Sequence, residues 1–501
     1  MTIIDRYNRQ ELIEGWDQER LNQSRIVVVG SENLANYILG AITALGIGNI
    51  EIYGNERVGE NKEFLLFQAM EGESKVKGLE SILKQMNPLS RIKGINSPIS
   101  MPILTMMGKP NLIIEATNSP ESKERTLKYA QSRGINFISA VADSERAEME
   151  YFPQGIRAIK PKSITPSKKN ILDELIGGSE SLKEEIAIKE EKVTEKGFEN
   201  YDKKFQGATP SGVMGGFIAE EVRKILMPLS SEEVPSTNLA YSLCSDRRFS
   251  SEEGRISREK LKDKKILIVG AGGLGTFTVP GAALEGIGQI DLMDFDEIES
   301  TNLNRQILFY DSLGQMKSTA LAEKVSRIAP KIKINGIVGK LDENSDYFLK
   351  NKPDAILDCV DSFAVRAIIN YFAVRYQIPL ISGGTNPKAG QVVVYVPGKT
   401  GCLDCKLNVD QALAEKRKGS SCRYAPDPSV IMTNQIIGNM IVGETMKVLD
   451  PENNGEPIRR ILKYDSTSPI RGGLTGSDEA CACTRPEIKE WLKELDGRVK
   501  E

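Results

Sequence analysis

Residues 25–58, RIVVVGSENLANYILGAITALGIGNIEIYGNERV, align without a gap on residues 265–298, KILIVGAGGLGTFTVPGAALEGIGQIDLMDFDEI. Each copy reads as a buried apolar strand, a turn at glycine, a helix and a second strand. The correspondence continues outward. Gly72-Glu73-Ser74-Lys75 matches Gly314-Gln315-Met316-Lys317, Asn87-Pro88 matches Ala329-Pro330, and LIIEATNS (112–119) matches AILDCVDS (355–362). Further on, PSGVMGGFIAEEVRKIL (210–226) resembles PSVIMTNQIIGNMIVGETMKVL (428–449), a late helix in both halves. A repeat of this length counts domains before any motif is read. Strands that alternate with helices imply a mostly parallel sheet covered on both faces. The expectation is therefore an α/β protein of two tandem doubly wound, Rossmann-like domains, residues 1–245 and 246–501. Within the first, residues 161–206 are rich in Lys and Glu with opposite charges spaced to pair along a helix. That segment reads as a solvated helical insertion or, alternatively, as a recognition surface.

Composition narrows the function. The 501 residues carry 66 basic and 69 acidic side chains, so the chain lacks the positive excess of a nucleic-acid binder. No apolar run approaches the ~20 residues that span a bilayer, and Met1-Thr2-Ile3-Ile4-Asp5 does not start a secretory signal, so a cytoplasmic protein is expected. Seven cysteines are too few and too uneven for a disulfide framework, and four fall in close pairs, which favours metal over cystine. Histidine is absent. That single fact excludes Ser-His and Cys-His nucleophiles, imidazole bases and mixed Cys/His zinc sites.

The halves have diverged in opposite directions. In the second, the first strand ends in Gly270-Ala271-Gly272-Gly273-Leu274-Gly275 and opens a helix, an arrangement that lets backbone amides approach phosphates. The next strand ends in Asp294-Phe295-Asp296, where a carboxylate can accept from a ribose. Alone these features say only that a nucleotide binds, and NAD would be the usual guess. Asn302-Leu303-Asn304-Arg305-Gln306, then Lys317, then Asp361 at a strand end do not fit a dehydrogenase. Cations near phosphates with one carboxylate at a strand's C-terminal edge suit ATP with magnesium.

At these residues the sequence resembles the family of ubiquitin-activating enzymes and their bacterial relatives, the MoeB and ThiF sulfur-carrier adenylyltransferases, over nearly the whole chain. The resemblance implies that Gly270, Gly272, Gly273 and Gly275 form the nucleotide loop and that Asp294, with Asp296 beside it, holds the ribose. It implies that Asn302, Arg305, Gln306 and Lys317 contact phosphates and that Asp361 binds Mg2+. Ser362 follows that aspartate where the family usually has Asn. The first half has lost this set: its turn is Ser31-Glu32-Asn33-Leu34-Ala35, Gly54 stands opposite Asp294, and Asn118 stands opposite Asp361. It keeps Arg6-Tyr7-Asn8-Arg9-Gln10, a segment whose second arginine, in the family, crosses the dimer interface into the partner's phosphate site. The second half has only Arg247-Arg248-Phe249-Ser250 at the comparable place. The losses are complementary, which implies an internal pseudo-dimer with one active site, to which Arg9 is lent. The alternative is that Arg9 caps or pairs locally.

The implied reaction joins a carboxylate to the α-phosphorus of ATP and expels pyrophosphate. A peptide C-terminus is already ionised at neutral pH, so no histidine base is needed. The implied partner is a ubiquitin-like or sulfur-carrier protein ending in Gly-Gly, with a downstream conjugating or sulfur-transfer protein after it. Cys402, Cys405, Cys481 and Cys483 resemble the family's structural four-cysteine zinc site, the second pair spaced C-x-C in place of C-x-x-C. Cys422 falls in the segment matching the crossover loop, about residues 406–427, beside Arg417, Lys418 and Arg423, which would favour its thiolate. It is either the acceptor of the acyl group, as a thioester, or a non-essential loop cysteine. Cys244 and Cys359 adjoin apolar runs and read as packing residues. The interval from Cys405 to Pro428 is too short for a separate catalytic-cysteine domain, and the stretch after Cys483 reads as one amphipathic helix. Two other readings stay open: adenylation of a peptide or other carboxylate without a thioester, and a non-catalytic nucleotide-binding scaffold.

Overall fold

The computed structural model describes residues 6–59, 63–154, 206–342, 345–408, 427–468 and 471–481. The repeat folds into two sheets built alike. In the first half, strands β1 (Arg25–Val29), β2 (Asn49–Gly54), β3 (Arg91–Asn96), β4 (Leu112–Glu115) and β5 (Asn136–Ala142) run parallel. Strands β6 (Arg146–Phe152) and β7 (Asn238–Ser242) extend them antiparallel, giving the order β3-β2-β1-β4-β5-β6-β7. The second half repeats this with β8 (Lys265–Val269), β9 (Gln289–Asp294), β10 (Lys333–Val338), β11 (Ala355–Asp358) and β12 (Leu380–Thr385) parallel. Strands β13 (Ala389–Tyr395), β14 (Ile461–Asp465) and β15 (Gly472–Thr475) complete an eight-stranded sheet in the order β10-β9-β8-β11-β12-β13-β14-β15. The parallel centre was expected; the antiparallel flank of each sheet was not.

Alternation along the central strands explains how both faces are buried. Ile26 and Val28 point to one side and Val27 and Val29 to the other; Ile266 and Ile268, and Leu267 and Val269, repeat the division. The outer faces form two separate cores, one for each half. The inner faces do not. Their residues join one core that runs from Leu21 of the first half to Tyr464 of the second, so the two halves share their interior.

Helices fill the space between the sheets. Asn33–Leu45 is buried along its whole length, and Ala208–Leu226 and Ile431–Leu449 are nearly so, because each touches a sheet on one side and the other half on the other. Such helices have no solvated face and therefore little amphipathic signal. Ala208–Leu226 and Ile431–Leu449 approach closely at glycines: a Cβ on Gly212 would lie 2.2 Å from Cγ of Asn439, and one on Gly216 2.5 Å from Cγ1 of Ile436. Charged groups reinforce the seam. Arg258 pairs with Glu285 at 2.7 Å and donates to the Ser144 carbonyl at 2.7 Å, and Arg471 pairs with Glu221 at 3.3 Å. Among the described residues, no helix is long and apolar enough to cross a membrane.

Candidate active site

The site is assembled at the C-terminal ends of β8, β9 and β11, where a strand-to-helix crossing leaves backbone amides exposed. The turn after β8 is held by close approaches that only glycine permits. Gly270 has φ +101, and a Cβ there would lie 2.8 Å from the Cys359 carbonyl oxygen; one on Gly275 would meet the Gly270 oxygen at 2.1 Å. Gly273 abuts the Asn434 amide, whereas Gly272 faces open space with Gln306 Nε2 3.9 Å from its ideal Cβ. Asp294 braces the turn: Oδ2 accepts from the Ala271 amide at 2.7 Å and Oδ1 from the Asp296 amide at 2.8 Å. Burial raises its carboxyl above the usual range, and these two amides oppose the rise. Each oxygen keeps a lone pair for a further donor.

Lys317 is the first residue of the Lys317–Ile328 helix, is buried, and pairs with Asp296 at 2.8 Å. Asn302 closes a capping box with Glu299, so its Oδ1 is engaged with the Glu299 amide at 3.0 Å. Gln306 is 2% exposed, and its Oε1 has no hydrogen-bond partner among the described residues. An orphaned buried acceptor beside an open glycine turn is the mark of a missing donor. Arg305 Nη1 donates to the Thr301 carbonyl and to Asn304 Oδ1, both at 3.0 Å. Burial pushes its guanidinium down to about 10, the charge of Arg9 adds to the fall, and Asp361 opposes it.

Two other predicted residues, Arg9 from the other half and Asp361, thus lie near enough to Arg305 to act on its charge. Asn8–Glu11 forms a helical turn docked on the second half: Arg9 Nη1 donates to the Asp427 carbonyl at 3.1 Å, and the Ser429 amide donates to the Arg9 carbonyl at 3.1 Å. Arg6 reaches the Leu303 carbonyl at 3.3 Å. Asp361 is exposed in the loop after β11. Its loop is fixed by a pair the sequence did not single out, Arg366 Nε with Asp358 Oδ2 at 2.9 Å, both buried. Arg366 Nη2 also donates to the Val360 and Gly383 carbonyls at 2.6 and 2.7 Å. Asn434 was likewise missed; it donates to the Val430 carbonyl at 2.6 Å and accepts from Thr385 at 3.3 Å against the glycine turn.

The matching place in the first half is filled by the chain itself. Lys75, the counterpart of Lys317, is clamped by Glu32 at 2.8 Å and by Glu63, so two carboxylates lie where phosphates would. Ser31 donates to Glu56 at 2.6 Å. The Leu34 amide, counterpart of the Leu274 amide at the open turn, donates to Gln206 Oε1 at 2.8 Å. Gln206 Nε2 in turn reaches Asn118 Oδ1 at 3.4 Å, and Asn118 is pinned to the Ala142 carbonyl at 2.6 Å. Arg248 is no second finger: it is buried in a bidentate pair with Glu444, at 2.6 and 3.2 Å.

Cys402, Cys405 and Cys481 converge, with Sγ–Sγ separations of 3.7 Å between the first two and 3.8 Å between Cys405 and Cys481. Four sulfurs at about 2.3 Å from a tetrahedral zinc stand about 3.8 Å apart, so the spacing fits that ion. Cys483 and Cys422 lie outside the described residues, as do residues 155–205, nearly all of the charged insertion, and residues 409–426. Cys359 is buried, which pushes its thiol up to about 12, and Cys244 is half-buried; neither is poised as a nucleophile.

One open glycine turn and one blocked copy of it, on two sheets that share a core, define a tandem pair of doubly wound α/β units. The chain belongs to the ThiF family, which matches residues 7–253 and again residues 245–484. It is similar to the molybdopterin-synthase adenylyltransferase of Salmonella typhimurium, 37% identical over 214 residues, 42% of this chain and 82% of that protein. It is also similar to SUMO-activating enzyme subunit 2 of Dictyostelium discoideum, 29% identical over 40% of this chain and 30% of that protein. The adenylyltransferase and sulfurtransferase UBA4 of Yarrowia lipolytica is 34% identical over 31% of this chain and 43% of its own length. The chain thus spans less than half the length of the last two. Of solved structures, E. coli MccB with succinimide aligns at 23% identity and a TM-score of 0.40, over 46% of this chain and 68% of that one.

Proposed function

We propose that this chain uses ATP to adenylate the C-terminal carboxylate of a ubiquitin-like or sulfur-carrier protein, at one site in its second half completed by Arg9 from its first. The observation that carries the reading is the docking of the Arg9 turn on the second half at Asp427 and Ser429, with Arg9 and Asp361 both near enough to Arg305 to act on its charge, while the equivalent turn of the first half is blocked by its own side chains. The relatives named as adenylyltransferases support the same chemistry. In this reading the amides of Gly272, Gly273 and Gly275 and the side chains of Asn302, Gln306 and Lys317 receive the phosphates, Asp294 takes the ribose, and Asp296 orients Lys317. Asp361 supplies a hard oxygen ligand for Mg2+, which neutralises phosphate charge when bound. The carrier's carboxylate arrives ionised, so this chain's task is to position two anions and neutralise the charge between them. Cys402, Cys405, Cys481 and Cys483 hold structural zinc in a reducing, cytoplasmic setting. Cys422 receives the acyl group as a thioester, ready for a conjugating or sulfur-transfer partner.

The test is exchange of labelled pyrophosphate into ATP, measured with candidate small proteins ending in Gly-Gly and with their isolated C-terminal peptides. Exchange that requires the folded carrier and vanishes in Asp361→Ala is expected, with Cys422→Ala sparing exchange but abolishing the covalent acyl-enzyme. Exchange at full rate with Asp361→Ala, or with the free peptide alone, would overturn this assignment.

A further inference from the structure

We propose that Asn304 is a positioning residue that holds Arg305 through a neutral acceptor, so that the arginine's full charge is left for the phosphates of the nucleotide. The inference rests on the site reading above and adds to it a residue with no role there.

Asn304 is fully buried and sits where the two halves meet the site. Its Oδ1 accepts from Arg305 Nη1 at 3.0 Å, and its Nδ2 donates to the Ser429 carbonyl at 3.0 Å and to Gln10 Oε1 at 3.4 Å. The orientation of this amide is dictated from both ends. Gln10 Nε2 donates to the Leu45 carbonyl at 3.2 Å and to Gln18 Oε1 at 2.7 Å, which leaves its Oε1 to accept. The Ser429 carbonyl can only accept, and the guanidinium can only donate. Oxygen toward Arg305 and nitrogen toward Ser429 is the one arrangement that satisfies every partner.

The choice of an amide contrasts with the protein's deeply buried arginines, which are held by carboxylates: Arg223 by Glu220, Arg248 by Glu444 and Arg366 by Asp358. Those charges are spent on the fold. Arg305 is partly buried, yet among the described residues no carboxylate forms an ion pair with it, and its acceptors are the Thr301 carbonyl and the Asn304 amide. A cation drawn partly out of water onto neutral acceptors keeps its charge for an arriving anion. An aspartate at this position, nearly isosteric with Asn304, would pair with Arg305 internally and compete with phosphate.

The experiment measures binding of ATP and of adenosine to the full chain by calorimetry, adenosine by displacement, for the unsubstituted protein, Asn304→Asp and Asn304→Leu. Thermal unfolding checks that each variant is folded. Asn304→Asp should weaken ATP at least tenfold, about 1.4 kcal/mol, and leave adenosine within twofold. Asn304→Leu, which removes the acceptor without adding charge, should weaken ATP about threefold with adenosine again unchanged. A general distortion of the pocket would weaken both ligands alike. Equal losses for the two ligands, or an unchanged ATP-to-adenosine ratio in either folded variant, overturns the proposal. A chain that prefers ATP yet supports no exchange with any carrier would sink the adenylation reading instead, and the ratio would still decide Asn304.

Discussion

Replacing Arg9 by alanine separates the two meanings of the contact between the halves, structural and chemical. In the resting protein the side chain makes a hydrogen bond to the Asp427 carbonyl from a partly exposed guanidinium. Such a bond is worth about 1 kcal/mol or less. The backbone docking does not depend on it, because the Ser429 amide bonds the Arg9 carbonyl and Tyr7, behind it, is anchored by Asn87 at 2.8 Å. Stability should therefore barely change. In the reaction, an arginine supplied to a transferring phosphoryl group contributes about 10^3 to 10^5 in rate. At about 1.4 kcal/mol per tenfold, that is roughly 4 to 7 kcal/mol of barrier. The expected result is pyrophosphate exchange at least a thousandfold slower, an unfolding midpoint in urea essentially unmoved, and ATP affinity within tenfold. Arg9→Lys should recover only part of the rate, since lysine keeps the charge but not the bidentate fork. Exchange within tenfold of the unsubstituted chain would refute the reasoning, as would a loss of rate matched by loss of folding.

Three further outcomes follow from the geometry. Burial, with no cation paired to it within 4 Å among the described residues, lifts the Glu115 carboxyl from 4.5 to about 8, so its contribution to stability is complete below pH 4.5 and is lost as pH rises to about 8. At about 1.4 kcal/mol per unit the span is on the order of 4–5 kcal/mol, and urea unfolding of Glu115→Gln should lack that decline and exceed the parent at pH 8; identical pH profiles would refute it. Gly212→Ala should cost about 1–3 kcal/mol by overpacking, because the added Cβ would lie 2.2 Å from Asn439, and Asn439→Ala in the same chain should return part of it. Zinc analysis should find the metal at the cysteine cluster, with Cys405→Ser and chelation lowering the thermal midpoint alike; a chain that contains no zinc, or is indifferent to the chelator, would contradict the assignment.

The parts of this molecule legible in its sequence are those encoded by local pattern. β1 and β8 with the helices that follow them announce themselves because a buried parallel strand is a continuous apolar run, and a glycine turn is contiguous. The antiparallel flanks were not foreseen: β6 alternates partly buried Glu148, Glu150 and Tyr151 with apolar residues, and its partner β7 lies beyond residues 155–205. The residues that organise the site from behind were also missed. Arg366 reaches Asp358 from the far end of a helical turn, Asn434 meets the glycine turn from a helix some 160 residues away, and Gln206 caps an amide 172 positions earlier. None has a motif, because the requirement each meets is set by three-dimensional closure. A carboxylate in the first half's turn was readable from Glu32; that Glu63 would complete a clamp on Lys75 was not.

In the proposed reading, the blocked turn and the shared core together explain how one chain can work with a single site. A phosphate-binding turn with no ligand leaves helix-end amides and a lysine unsatisfied in a partly buried place, a standing cost. In the first half Gln206, Glu32 and Glu63 meet those needs internally, burial raising the Glu63 carboxyl to about 7 while Lys75 opposes the rise. In the second half Gly272 faces open space, and Lys317 has one carboxylate partner, Asp296 at 2.8 Å, where Lys75 has two. Because the inner faces form one core, the helical turn that carries Arg9 is positioned by folding and not by association. In the proposed reading a half whose turn is filled by its own side chains serves as a rigid arm, and the asymmetry between the two turns is what makes the delivery of Arg9 run in one direction.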